Sequence, residues 1–228
     1  MNDCVKNIAI MGATGSIGRS TLEVVQASAG RLNAVALCAN SSATTLLEQA
    51  QQVRPKWLVL ADDEAAAAFD ASQLPAETTL LVGQRGLLGV SQAADVDIVV
   101  SAIVGSPGLR STWAAVEAGK TIALANKETM VTAGPLVNQR CAETGATIIP
   151  IDSEHSAIFQ ALSAGRREDV RRIILTASGG PFREHSREEL ANVTREQALA
   201  HPTWDMGPKI TIDSATMMNK ALEIIEAR

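Results

Sequence analysis

Apolar residues in the first part of the chain fall into short, nearly continuous runs separated by segments with helical spacing. NIAIM at 7–11 runs into the glycine-rich GATGSIG at 12–18, and RSTLEVV at 19–25 follows with Leu22, Val25 and Ile17 turned inward. NAVALC at 33–38 is the next apolar run. The alternation continues with a helical segment at 46–53, the strand WLVL at 57–60, an alanine-rich helix at 63–69 and the strand TLLV at 79–82. IVVSAIV at 98–104 is the most apolar run. A helix at 109–118, the strand TIALA at 121–125, a helix at 128–144 and the strand TIIPI at 147–151 complete the series. Strands that are apolar throughout are covered on both faces, so the pattern predicts an α/β fold with a doubly wound, Rossmann-like parallel sheet. The domain boundary is expected near residue 150, giving domains 1–150 and 151–228.

Past that boundary the periodicity weakens. VRRIILT at 170–176 reads as a strand ending in ASGGP at 177–181, and 186–200 is a polar helical segment. HPTWDMGP at 201–208 holds prolines and a glycine that deny it regular structure, and His201, Trp204 and Met206 give it the look of a lid. The β-branched run KITID at 209–213 reads as a lead-in to a helix, with Ser214 at the N-cap position and Met217, Leu222 and Ile225 as its core stripe. Asn219, Lys220 and Glu223 share one face of that helix at spacings of three and four. The second domain is expected to be α+β.

Composition narrows the possible partners. The net charge is −5, aromatics are 3% of the chain and Tyr is absent, so the stacking, basic groove of a single-stranded nucleic-acid binder is not expected. Cys4, Cys38 and Cys141 lie far apart with no CxxC pattern and read as reduced thiols of a cytosolic protein, with neither zinc site nor disulfide framework. The start, MNDCVKNIAIMG, does not read as a signal peptide, and no apolar run approaches a membrane span. A cytoplasmic protein without a membrane partner is therefore expected.

Glycines between a strand and a helix let a backbone approach a pyrophosphate and let the helix start at the phosphate. Gly12, Thr14, Gly15, Ser16 and Ile17 are thus candidate dinucleotide contacts, although the spacing is GxxGxxG and a simple tight turn is the alternative. The second strand ends in CANSS at 38–42, with no carboxylate before Glu48 to hold a ribose 2′-hydroxyl. NADP(H) is therefore preferred over NAD(H), with Asn40, Ser41 and Ser42 as donors to the 2′-phosphate. Asn126, Lys127 and Glu128 follow a strand, at the end of the sheet where ligands bind. In DSEHS at 152–156, an extended backbone points Asp152 and Glu154 the same way and Ser153 elsewhere. Paired carboxylates favour a hard cation such as Mg²⁺ or Mn²⁺; a solvated loop is the alternative. Ser178 before two glycines offers N–H groups to an anion or makes a turn. Ser214, Asn219 and Lys220 near a helix N-terminus suit a phosphate, and Glu223 lies a turn further on, within reach of a metal.

Taken together, GATGSIG at 12–18, LANKE at 124–128, DSEHSAIFQ at 152–160, SGGPFR at 178–183, HPTWDMG at 201–207 and DSATMMNKALEIIEA at 213–227 resemble, in kind and order, the 1-deoxy-D-xylulose 5-phosphate reductoisomerases. The resemblance runs from about Ile8 to the last residue. It implies NADPH- and divalent-metal-dependent rearrangement and reduction of a small sugar phosphate, 1-deoxy-D-xylulose 5-phosphate, to 2-C-methyl-D-erythritol 4-phosphate for isoprenoid synthesis. It also implies a homodimer at full length. It implies Asp152, Glu154 and Glu223 as ligands of Mg²⁺ or Mn²⁺, with Co²⁺ a further candidate, and Lys127 and His201 as further catalytic residues. The implied substrate contacts are Lys127, Ser153, Glu154, Ser178, His201, Trp204, Met206, Ser214, Asn219 and Lys220. The implied NADPH contacts are the glycine turn, Asn126, Glu128 and Gly207. In the implied reaction the metal acts as Lewis acid while a carbon–carbon bond breaks and reforms, and NADPH reduces the resulting aldehyde under a closed lid.

There are departures from the family pattern. Asn40, Ser41 and Ser42 stand where a glycine and a basic residue are usual, Ala177 where a glycine is frequent and Pro208 where a basic residue is frequent. The family continues far past Arg228, so the chain is expected to be a fragment with weakened or absent activity of its own. Two other readings are an NADP-dependent dehydrogenase without rearrangement and an inactive NADPH-binding fragment. The carboxylate pair and the Asn219–Glu223 face argue against the first, because hydride transfer alone needs no such metal site.

Overall fold

A computed structural model describes residues 5–227, which divide into two compact units, Met1–Asp152 and Ser153–Arg228. The readings of the chain start and of Cys4 lie outside the described residues.

The first unit alternates strand and helix: β1 (Lys6–Met11), α1 (Ser16–Ala27), β2 (Leu32–Ala39), α2 (Ala43–Val53), β3 (Trp57–Leu60), α3 (Asp63–Ala67), β4 (Thr79–Val82), α4 (Gly83–Gln92), β5 (Ile98–Ser101), α5 (Gly108–Glu117), β6 (Thr121–Leu124), α6 (Lys127–Thr144) and β7 (Thr147–Pro150). The strands form one parallel sheet in the order β4-β3-β2-β1-β5-β6-β7, the doubly wound α/β class that the apolar runs predict. Alternate side chains go to opposite faces. Ile8 and Ile10 pack with Leu22, Leu46 and Ala50 on the side of α1 and α2. Ala9 and Met11 pack with Leu87, Val90, Ala115 and Val137 on the side of α4, α5 and α6. Burying each such large aliphatic side chain stabilises by about 1.5–3 kcal/mol.

Several boundaries differ from expectation for local reasons. α4 carries three glycines and has low helix propensity, yet it forms because it lies hard against the sheet. A Cβ on Gly86 would sit 3.0 Å from side-chain atoms of Leu81 and Val59. α1 begins at Ser16, so Ile17 falls in its first turn and is exposed rather than inward. α6 is kinked at Ala133 (φ −137°, ψ 15°), just before Pro135, which lacks an N–H and crowds the preceding turn. Cys38 and Cys141 are free thiols, and burial raises the pKa of both.

The second unit consists of α7 (Ser153–Ser163), α8 (Arg187–Leu190), α9 (Arg195–Leu199), α10 (Pro208–Ala215) and α11 (Met218–Glu226) joined by irregular segments. No residue described in this unit lies in a strand, so the strands that underlay the α+β expectation are absent. Residues 170–176 are irregular, with Ile173 and Ile174 exposed. Residues 209–213 belong to α10, because Pro208 presets the first helical turn and the Thr211 hydroxyl donates back to the Gly207 carbonyl. The Lys209–Asp213 ion pair, at 2.7 Å, supports the same helix. Ser214 therefore lies in the last turn of α10 rather than at an N-cap, and α11 starts after Met217, which is left-handed (φ 61°). The polar segment 186–200 splits into α8 and α9, each closed by a capping box. Among the described residues no helix is long and apolar enough to cross a membrane.

Candidate active site

In the first unit, the strand order reverses between β1 and β5, and the carboxyl ends of these parallel strands border the crevice where α/β sheets take ligands. The glycine turn fills the β1 side. Gly12 has φ +92°, and a Cβ there would meet the Ala102 carbonyl at 2.7 Å. Gly18 lets α1 start directly on the turn, since a Cβ would meet the Gly12 carbonyl at 2.3 Å. Gly15 is exposed at the N-cap of α1, with no side chain capping the helix and no acidic residue in its first turn. Both the cradle and its electrostatics thus fit a pyrophosphate. Asn40, Ser41 and Ser42 are exposed at the end of β2, and no carboxylate lies among them.

Asn126 is buried at the N-cap of α6. Its amide donates to the carbonyls of Ile103 (2.5 Å) and Gly105 (2.8 Å), and its oxygen accepts from the N–H (2.8 Å) and hydroxyl (2.6 Å) of Thr129. The side chain thus ties the loop after β5 to the start of α6, and a ligand would meet the main chain here. Lys127 is buried with its ammonium 2.8 Å from Asp152. Glu128 is half-buried in the first turn of α6.

In the second unit, Ser153 and Glu154 open α7, so the extended alternation expected for 152–154 is replaced by a helix start. The Ser153 hydroxyl donates to Glu154 at 2.5 Å. Glu223 is fully buried on α11, receiving the Asn219 amide at 2.5 Å and the Lys220 ammonium. Lys220 also reaches Glu154 at 3.0 Å. Burial opposes ionisation of Glu154, but the Ser153 hydroxyl and the Lys220 ammonium outweigh it and hold the carboxyl below its usual value. Two carboxylates therefore converge on one ammonium. Hard oxygen donors of this kind suit a divalent cation.

Asn219 and Lys220, expected at a phosphate, are bonded to these carboxylates. Of the other expected phosphate and substrate residues, Ser178, His201 and Ser214 come together. Ser178 Oγ lies 3.1 Å from His201 Nε2 and 3.3 Å from Ser214 Oγ. His201 Nδ1 accepts the N–H groups of Thr203 and Trp204, which leaves the ring hydrogen on Nε2, facing Ser178. Gly180 permits this approach: it has φ +65°, and a Cβ would meet the Ser214 carbonyl at 2.7 Å. Trp204 is 61% exposed, Met206 is half-buried and Gly207 caps α10.

Of the core stripe expected on α11, Leu222 alone lies inside. Met217 and Ile225 are exposed, and Lys220 and Glu223 are buried with Leu222. His155 and Glu226 were not singled out from the sequence. The buried His155 ring has Nε2 3.0 Å from the Glu223 carbonyl and Nδ1 3.1 Å from the Glu226 carboxylate, linking α7 to the last turn of α11. The available signal was position: His155 lies inside the DSEHS motif, and Glu226 follows Glu223 by one helical turn.

A switch-point glycine turn on a parallel sheet, with an oxygen-donor cluster on the same chain, places the protein in the class of Rossmann-like α/β proteins that also carry a site fitted to a hard cation. More particularly, the chain belongs to the 1-deoxy-D-xylulose 5-phosphate reductoisomerase family, whose profile matches residues 8–134, while that of the family's C-terminal domain matches residues 148–228. It is 52% identical over 223 residues to the 1-deoxy-D-xylulose 5-phosphate reductoisomerase of Exiguobacterium sibiricum, covering 98% of this chain and 58% of the relative. The Heliobacterium modesticaldum relative of the same name is 54% identical over 228 residues, with the same coverage. Among solved structures, a DOX-P reductoisomerase in complex with NADPH, fosmidomycin and magnesium matches with TM-score 0.88 and 42% identity. The Zymomonas mobilis enzyme in complex with NADPH matches with TM-score 0.87 and 43% identity. Each of these covers 98% of this chain and 57% of the solved one. The chain thus spans less than three-fifths of the length of these relatives.

Proposed function

We propose that residues 1–150 bind NADPH, that residues 151–228 supply metal and substrate contacts, and that the protein converts 1-deoxy-D-xylulose 5-phosphate to 2-C-methyl-D-erythritol 4-phosphate for isoprenoid synthesis. The observation that carries this reading is the convergence of Glu154 and Glu223 on one ammonium. Asp152, two residues before Glu154 on the chain, would complete the donor set for Mg²⁺ or Mn²⁺. When bound, such an ion supplies Lewis-acid polarisation of the substrate's oxygens. Ser178, Ser214 and the Nε2 hydrogen of His201 offer clustered donors for a phosphate. Lys127 is an additional cation on the substrate, Ser153 a hydroxyl contact, and Trp204 and Met206 an apolar cover that excludes water. Gly12, Thr14, Gly15, Ser16 and Ile17 hold the cofactor pyrophosphate, with Asn40, Ser41 and Ser42 at its 2′-phosphate and Asn126, Glu128 and Gly207 further along it. A cytoplasmic location, a homodimer at full length, and the absence of nucleic-acid and membrane partners complete the reading.

The test is NADPH oxidation by the protein at the full length of its relatives, with the sugar phosphate and Mg²⁺ or Mn²⁺ added. Turnover should require both, and Glu223→Gln should abolish it while NADPH affinity stays near that of the unsubstituted protein. No turnover with Glu223 intact overturns the reading. Metal-independent turnover would favour a dehydrogenase instead.

A further inference from the structure

We propose that Gln49 is a positioning residue for the dinucleotide: by holding the Ala13 carbonyl, it aims the Thr14 N–H of the glycine turn at the bound pyrophosphate. The inference rests on the NADPH reading above and assigns a role to a residue outside the glycine motif.

Gln49 lies on α2 in an apolar setting, beside the core residues Leu46 and Ala50, and is 7% exposed. Its Nε2 donates to the Ala13 carbonyl at 2.9 Å. The preceding part of the turn is fixed separately, since the N–H groups of Gly12 and Ala13 both donate to the Cys38 carbonyl, at 2.9 and 2.8 Å. The Gly15 N–H donates to the Gly12 carbonyl at 3.2 Å, which makes 12–15 a β-turn with the Ala13–Thr14 peptide at its centre. In a trans peptide the C=O and N–H point in opposite directions. With the Ala13 oxygen drawn inward to buried Gln49, the Thr14 N–H faces outward, where Gly15 and Ser16 are exposed. Flipping that peptide would turn a carbonyl toward the phosphate and put Thr14 at positive φ, which a β-branched residue resists. Thr14 is not at positive φ, and the Gln49 bond is a second, independent lock on the same orientation.

The other half of the Gln49 amide points to the same role. Among the described residues its Oε1 has no hydrogen-bond partner, a costly state for a buried acceptor. Leucine at this position would pack without that cost. The contribution of glutamine here is the bond to Ala13 rather than stability.

The experiment titrates NADPH into the 228-residue chain, following nucleotide fluorescence, and compares it with Gln49→Leu. The expected result is binding weaker by about tenfold, the effect of losing one hydrogen bond that sets a donor. The melting temperature should be nearly unchanged, and the Thr14 amide resonance should already be displaced before nucleotide is added. If Gln49→Leu does not fold, Gln49→Met keeps the unbranched side-chain length, has no donor for the Ala13 carbonyl and should show the same loss. Unchanged affinity, or an unmoved Thr14 resonance in a folded variant, overturns the inference alone. No NADPH binding by the unsubstituted chain overturns the inference together with the NADPH reading.

Discussion

Buried positions in Met1–Asp152 are mostly aliphatic and lie on two faces of one sheet, whereas the buried side chains of Ser153–Arg228 are His155, Thr211, Lys220, Leu222 and Glu223. The first unit gains its stability from apolar area, which is insensitive to ions. The second holds its interior through charge compensation, which depends on what cation is present.

The largest expected contrast is in mutational cost. Leu58 is fully buried in the first unit, and Leu58→Ala should destabilise by about 3 kcal/mol through lost burial and a cavity. Ile174 in the second unit is 66% exposed, and Ile174→Ala should cost less than about 0.5 kcal/mol. Urea midpoints check both, and similar costs would break the comparison. Next, Lys220→Met removes the ammonium from Glu154 and Glu223 and should destabilise the second unit by about 3 kcal/mol in metal-free buffer, because buried Glu223 loses a counter-charge. The same variant should bind Mn²⁺ more tightly than the unsubstituted chain, measured by the resonance of free Mn²⁺, because no resident cation has to be displaced. Weaker binding would show that the ammonium is not a competitor.

The smallest effect is in acid. The Ser186 main-chain N–H donates to the Glu189 carboxylate, with further help from the Ser186 side chain, and holds its pKa below the usual value. A folded pKa below the unfolded one gives stability that is present above the unfolded value and lost as pH falls through the folded value. The capping box of α8 should therefore loosen below about pH 4, seen as faster Ser186 amide exchange, while β1–β5 amides stay protected. Equal loss of protection in both would mean that the units unfold together.

The sheet was legible because a strand covered on both faces leaves a continuous apolar run, and the more exposed edge strands β4 and β7 keep short apolar runs of their own. α4 was not, because three glycines erase its helical signal, and one of them, Gly86, packs against Val59 and Leu81. In the second unit, local propensity pointed the wrong way. KITID favours a strand by residue type but is helical because Pro208 starts a turn and no strand lies beside it to pair with. On α11 the spacing of Asn219, Lys220 and Glu223 was readable, but which face lies inside was not, since hydropathy assigns the interior to Met217 and Ile225. The partner that draws Lys220 inward beside Leu222, Glu154, comes from a distant part of the chain. Gln49 was silent for the same reason: its meaning depends on a carbonyl 36 residues away.

The switch between β1 and β5 also sets a timetable for a chain made from its N-terminus. β2, β3 and β4 extend the sheet on one side of β1, and the other side stays open until Ile98–Ser101 arrives to pair with residues 8–11. During that interval the nascent chain presents an apolar strand edge, the kind of edge that pairs with other chains. The glycine turn is equally unfinished, because the carbonyl that Gly12 packs against belongs to Ala102. A pause in synthesis between β4 and β5 would prolong the hazard, and one placed after Ala102 would fall when both the edge and the turn are closed.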